Sequence, residues 1–86
     1  MILVDDIKTY ATGDWCHMVS DISLDELHAF ATKIGLKRCW FSGKRHKHYD
    51  LRPSMRALAI THGARAVAPY ELCTRNIGRY KPQKLI

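Results

Sequence analysis

The chain opens on a continuous apolar run, Ile2-Leu3-Val4, that stops at Asp5-Asp6. Three β-favouring residues with no polar alternation predict a strand buried on both faces, with an acidic carboxyl end. Residues 7–14 lack a period and contain Gly13, which predicts a loop leading into a short second strand from Trp15 to Ser20. Ser23-Leu24-Asp25-Glu26 then reads as a capping box, the serine oxygen accepting from the amide three residues on and Glu26 reaching back to the cap. Leu24, Leu27, Ala31 and Ile34 follow at helical spacing, and Gly35 supplies a left-handed stop. No other element is as well defined.

Beyond it, Cys39-Trp40-Phe41 predicts a strand, Ser42 to Lys47 a basic loop with one glycine, and His48-Tyr49-Asp50 an extended segment. Pro53 suits the first turn of a helix whose face is Met55, Leu58, Ala59 and His62, with Gly63 as its stop. Ala64 to Ala68 leaves room for a short strand around Val67, and Pro69 opens a last helix through Leu72 and Cys73 that Gly78 ends. Strands alternating with helices predict a single small α/β domain over residues 1–78. Its sheet is expected to be mostly parallel, of three to four short strands, with about three helices. Residues 79–86 are expected to form a loose, basic tail.

Composition narrows the class. A hydrophobic share of 47% in 86 residues is that of one folded globule. A core this small could gain stability from a metal, a ligand or a second copy of the chain. No apolar run reaches the roughly 20 residues of a membrane span, and Met1 to Asp6 lacks the basic start of a signal peptide. Three widely spaced cysteines, Cys16, Cys39 and Cys73, form no Cys-x-x-Cys and read as reduced, small core hydrophobes. A cytoplasmic location is therefore expected. Net charge is +6 but unevenly spread. Residues 1–36 hold only Lys8 and Lys33 against six acids, whereas residues 37–56 hold seven basic groups against Asp50 alone. An anionic partner is the expectation.

Three polar clusters carry the candidate chemistry. Asp5 and Asp6 leave a buried strand together, and only one of two adjacent carboxylates can face a given site. Such a carboxylate can hold a divalent metal such as Mg²⁺ against phosphate oxygens. His17 and Asp21 stand four residues apart near the end of the second strand. His48 and Asp50 share one face of an extended segment, so Asp50 can orient His48 as a general base, or both can ligate. The expected catalytic groups are His17, His48 and Asp50. Asp5, Asp6, Asp21, Tyr49 and Arg56 are the expected ligand-binding groups, with Asp5 and His48 the metal pair. His28, on the apolar helix face, reads as a hydrogen-bonded core residue. No phosphate-binding glycine loop, His-Glu-x-x-His or Gly-x-Ser-x-Gly is present, which excludes several large enzyme classes.

Val4-Asp5-Asp6, Trp15-Cys16-His17 with Ser20-Asp21, Glu26 to Ala31, Trp40-Phe41, His48-Tyr49-Asp50, Arg56-Ala57 and Gly63-Ala64 together resemble a small bacterial and phage family, DUF4031. The resemblance spans about residues 2–72 and implies a compact standalone domain, without an established activity.

The residue chemistry predicts a site that binds a phosphate-bearing, nucleotide-like small molecule or hydrolyses it with a metal's help, and a phage-encoded member could act on a host nucleotide signal. One alternative is a nucleic-acid module using Lys37, Arg38, Lys44, Arg45 and Lys47 with the tail. Another is an inhibitor whose basic face docks an acidic host protein.

Overall fold

The computed structural model describes residues 1–79. The strands are β1 (Ile2–Val4), β2 (Lys8–Tyr10), β3 (Gly13–Ser20), β4 (Phe41–Ser42), β5 (His48–Leu51) and β6 (Arg65–Ala66). The helices are α1 (Leu24–Lys33), α2 (Pro53–Thr61) and α3 (Pro69–Arg75), with one 3-10 turn at Arg38–Trp40. The molecule is a small α/β domain, as its pattern predicts, but its six-stranded sheet is mixed and mostly antiparallel. The strand order is β4-β5-β3-β1-β6, with β2 paired to the start of β3, and only β1 and β6 run parallel. The expected parallel sheet fails for two reasons. The short stretch between β1 and β3 allows only an antiparallel return. After α1 carries the chain round to β4, the β4–β5 hairpin inserts β5, running the opposite way, between β4 and β3.

The loop expected over residues 7–14 is instead a hairpin. Lys8–Tyr10 pairs with Gly13–Trp15 around Ala11-Thr12. Gly13 takes φ +123°, in the region that favours glycine, and a Cβ there would lie 2.1 Å from an Arg52 guanidinium nitrogen. The strand expected at Cys39–Phe41 is displaced: Cys39 and Trp40 lie in the 3-10 turn, and the strand is Phe41–Ser42. The short strand expected around Val67 falls just before it, at Arg65–Ala66.

Period-two alternation divides the sheet. Ile2, Val4, Cys16, Met18, Tyr49 and Leu51 face α1 and α2, packing with Leu27, Ala31, Ile34 and Ala59. On the opposite face, Leu3 and Val19 pack with Val67 and Leu72 under α3. Helix α1 starts as its sequence predicts, with the Ser23 hydroxyl accepting from the Glu26 amide at 3.0 Å. The Glu26 carboxylate does not bend back to the cap; it accepts from the buried Ser20 hydroxyl at 2.5 Å and ties the helix to β3. The helix ends as predicted at Gly35, which adopts φ +91°. Cys16 is buried, but Cys39, in the 3-10 turn, and Cys73, on α3 at the wall of a hollow, are exposed, contrary to their reading as core residues. Among the described residues no helix is long and apolar enough to cross a membrane. The basic tail beyond Arg79 lies outside the described residues.

One buried polar side chain locks the far end of the sheet. Asn76, 3% exposed, donates through Nδ2 to the Lys47 carbonyl at 3.2 Å and accepts from the Gly78 amide at 2.8 Å. The Lys47 amide in turn donates to the Gly78 carbonyl at 3.0 Å. The residues just before β5 are thus pinned to the end of α3. Asn76→Ala leaves those groups short of partners, and urea denaturation should show about 1–3 kcal/mol less stability, with m unchanged.

Candidate functional site

The site follows from register. In the β1–β3 ladder Val4 faces Met18, and the next step brings Asp5 beside His17, whose carbonyl accepts from the Asp5 amide at 3.2 Å. In the β3–β5 ladder His17 faces Asp50. Asp5, His17 and Asp50 therefore form a row across three neighbouring strands, and His48, two residues before Asp50, lies on the same face. Between β1 and β2 the pairing slips: Val4 faces Met18, and Lys8 faces Trp15. Four steps on one side meet three on the other, so an extra residue is accommodated among Asp5, Asp6 and Ile7, as in a β-bulge. Asp5 turns inward at 4% exposure while Asp6 is exposed, so the two adjacent acids point apart and only Asp5 meets His17.

Both oxygens of Asp5 are engaged by His17. Oδ1 accepts from the His17 amide at 2.6 Å, and Oδ2 from the ring Nδ1 at 2.9 Å. With Nδ1 donating, Nε2 of His17 is left pointing toward Asp50 Oδ1, 3.9 Å away. His48 is set the same way: its Nδ1 donates to the His46 carbonyl, and its Nε2 lies 3.2 Å from the same Asp50 oxygen. The two rings meet edge to face with centroids 5.1 Å apart. One potential ligand atom from each of His17, His48 and Asp50 lies within 4.8 Å of the others.

Burial pushes the Asp5 carboxyl up, but the His17 ring and amide hydrogen bonds outweigh it and hold the group below its ordinary value. The hydrogen bond to Asp5 raises His17 against the opposing effect of burial, helped by the charges of Asp5 and Asp50.

Two hollows open on this cluster. One, of about 240 Å³, lies between the sheet and α3 and is lined by Asp5, Lys8, His17, His48 and Asn76 among others. The second, of about 300 Å³, is lined by Tyr10, Thr12, Trp15, His17, His48 and Asp50.

The three expected catalytic residues are brought together, with Asp5 behind them. The rest of the expected set is not. Tyr49 is 1% exposed on the opposite face, because neighbours along a strand point apart; its hydroxyl is hydrogen-bonded to His28 Nδ1 at 2.9 Å. His28 is thus the hydrogen-bonded, partly buried residue that the helix pattern suggests. Asp21 lies beyond Ser20, which faces Ile2, and so sits at the opposite end of β1 from Asp5. There it pairs with Arg75 at 2.6 Å. A parallel sheet would have put Asp5 and Asp21 on one edge; the antiparallel ladder separates them. Arg56 donates through Nε to the Asp5 carbonyl at 2.8 Å and braces the bulge. Of the expected metal pair, His48 belongs to the cluster, whereas Asp5 is spent on His17. The basic groups Lys37, Arg38, Lys44 and Arg45 are exposed around the 3-10 turn and the β4–β5 loop, and Lys47 is partly buried. Lys8 and Asn76 were not legible as site residues: neither forms a motif, and only the β2 hairpin and the α3 end bring them here.

Fold and site define a small mixed α/β domain carrying a histidine–carboxylate cluster in the middle of one sheet face. The chain belongs to the family described as Protein of unknown function (DUF4031), which it matches over residues 2–79. No curated protein and no solved structure matches it.

The Asp5–His17 pair predicts a stability window. His17, raised above its ordinary 6.5, contributes fully below that pH, and its contribution is lost as pH rises through the raised value. Asp5, held below its ordinary 3.8, contributes above that pH and is lost as pH falls through the lowered value. The ionic part of the pair is therefore greatest between these limits. In urea titrations, the stability difference between the native chain and His17→Asn should peak at about pH 5 and shrink by about pH 9. A difference independent of pH would contradict the ionic pairing.

Proposed function

We propose that this chain binds a phosphate-bearing small molecule of nucleotide type at the His17–His48–Asp50 cluster and hydrolyses it with the help of a divalent ion. The observation that supports the reading is the convergence of two imidazole Nε2 atoms on one Asp50 oxygen, each ring fixed from behind through Nδ1. Ligating histidines are commonly oriented in this way, by a carboxylate or a backbone carbonyl on the other nitrogen. Two nitrogens and one carboxylate suit Zn²⁺, Mn²⁺ or Fe²⁺ better than Mg²⁺, which prefers an all-oxygen shell. A tetrahedral site with bonds of about 2.1 Å has donors about 3.4 Å apart. The three donors here lie within 4.8 Å of one another, so the exposed Asp50 carboxylate and the imidazoles would draw in around the ion.

The ion would polarise the phosphate and acidify a bound water. The chain's own groups supply the rest. Asp5 holds His17 in the tautomer that presents Nε2, and Asp50 completes the donor set. Lys8, on the wall of the first hollow, offers its ammonium to phosphate oxygens. Water attacks phosphorus and gives up a proton to solvent as the new P–O bond forms, and the ester P–O bond breaks with the leaving oxygen taking a proton from solvent.

Thermal-shift titrations with Zn²⁺, Mn²⁺ and Mg²⁺, alone and with nucleoside mono-, di- and triphosphates, test this reading, with phosphate release measured in parallel. Stabilisation by an imidazole-accepting ion, a further shift with nucleotide, and loss of both in His48→Ala and Asp50→Asn are expected. Asp5→Asn should weaken the ion about 10–100-fold, since it removes only the group behind His17. Silence across the panel would sink the proposal.

A second reading, a nucleic-acid surface, draws on the exposed Trp40 with the Lys37 ammonium 5.6 Å from its ring centre. It predicts affinity that falls steeply with salt and that Lys44→Ala, Arg45→Ala and Lys47→Ala together abolish, with His48→Ala harmless.

A further inference from the structure

We infer that the groove beside Asp50 is an aromatic-ring slot that selects ligands carrying a planar base. This rests on the proposed phosphate site and names what its ligand must carry at the other end. The groove holds about 480 Å³, within the range of about 300–1,000 Å³ usual for small-molecule sites. Trp15, Leu36, Trp40, Arg52 and Met55 line it, and Asp50 stands on its rim. Trp15 and Asp50 also line the hollow at His17 and His48, so the groove and the cluster share a wall. A ligand with one end at the cluster can therefore lay its other end in the groove.

The lining decides the chemistry of that end. Two indoles and a thioether offer polarisable surface, and the Arg52 guanidinium lies 3.9 Å from the Trp15 ring centre, already a stacked cation–π pair. A planar, electron-poor ring gains more from stacking on these surfaces than a sugar or an aliphatic chain does. Trp40 is 53% exposed, so its indole is available to a ligand and little of the core depends on it. The Asp50 oxygen not directed at the histidines is an acceptor suited to a ring N–H or a ribose hydroxyl. Trp15 itself is held by its indole N–H donating to the Thr12 hydroxyl at 3.0 Å.

Fluorescence titration of Trp40→Ala and the native chain with a nucleoside monophosphate, ribose 5-phosphate, inorganic phosphate and the free nucleoside tests the slot, with Zn²⁺ present throughout. The nucleoside monophosphate should bind the native chain more tightly than ribose 5-phosphate. Trp40→Ala should weaken it at least about fivefold while leaving inorganic phosphate unchanged. Equal affinity for ribose 5-phosphate and the nucleotide, or an unaffected Trp40→Ala, would overturn the slot with the phosphate site intact. Binding of the free nucleoside, lost in Trp40→Ala and without any response to phosphate, would uphold the slot and overturn the phosphate reading. Tighter binding of a single-stranded oligonucleotide, lost on replacing Lys44, Arg45 and Lys47, would reassign the groove to nucleic acid and overturn the small-molecule slot.

Discussion

The pairing register of β3 with its two neighbours is the constraint on which the rest depends. It sets Asp5, His17 and Asp50 in one line across β1, β3 and β5. A slip of one residue on either side would turn that side's polar group into the apolar core and bring a core residue out. The register is held by the core itself. Val4, Met18, Tyr49 and Leu51, all at 1% exposure or less, pack beneath α1 and α2 and leave no alternative pairing of comparable burial. The same hydrophobic burial that drives folding therefore assembles the polar row on the other face.

A carboxylate as buried as Asp5 is costly unless it is paired and hydrogen-bonded. Here one residue supplies both donors, so the cost is met locally and His17 is oriented by the same contact. The Arg56 bond to the Asp5 carbonyl braces the backbone on the far side. His48 is fixed through its own preceding segment, which Asn76 ties to the end of α3. The cluster is thus supported from three directions, the bulge, α2 and α3, while Asp50 remains exposed and adjustable. Two braced imidazoles thus face one exposed carboxylate.

Much of the local structure was legible. The capped α1, the proline starts of α2 and α3 and the glycine stop after α1 depend on residues within a few positions of one another. The shared face of His48 and Asp50 was legible for the same reason, since it needs only an extended backbone. The hairpin at Lys8–Trp15 was missed because Ala11-Thr12 carries none of the usual turn pairs, and Gly13 sits one residue late. Tyr49 was placed at the site through its neighbours in sequence, although alternation sends it to the core. Asp21 joins the expected site only under a sheet direction that the fold does not have, and Arg56, expected there from its place on the helix after Asp50, reaches the Asp5 backbone.

By itself, then, the sequence determined the helices and their ends, the buried strands, the small α/β class and the chemical types available: imidazoles, carboxylates and clustered cations. Tertiary structure alone decided which of these meet. Propensity, capping and alternation act over a handful of residues, whereas the neighbours of His17 come from positions 5, 48 and 50 through an antiparallel ladder. Strand direction depends on the packing of whole elements, and no short stretch of chain encodes it.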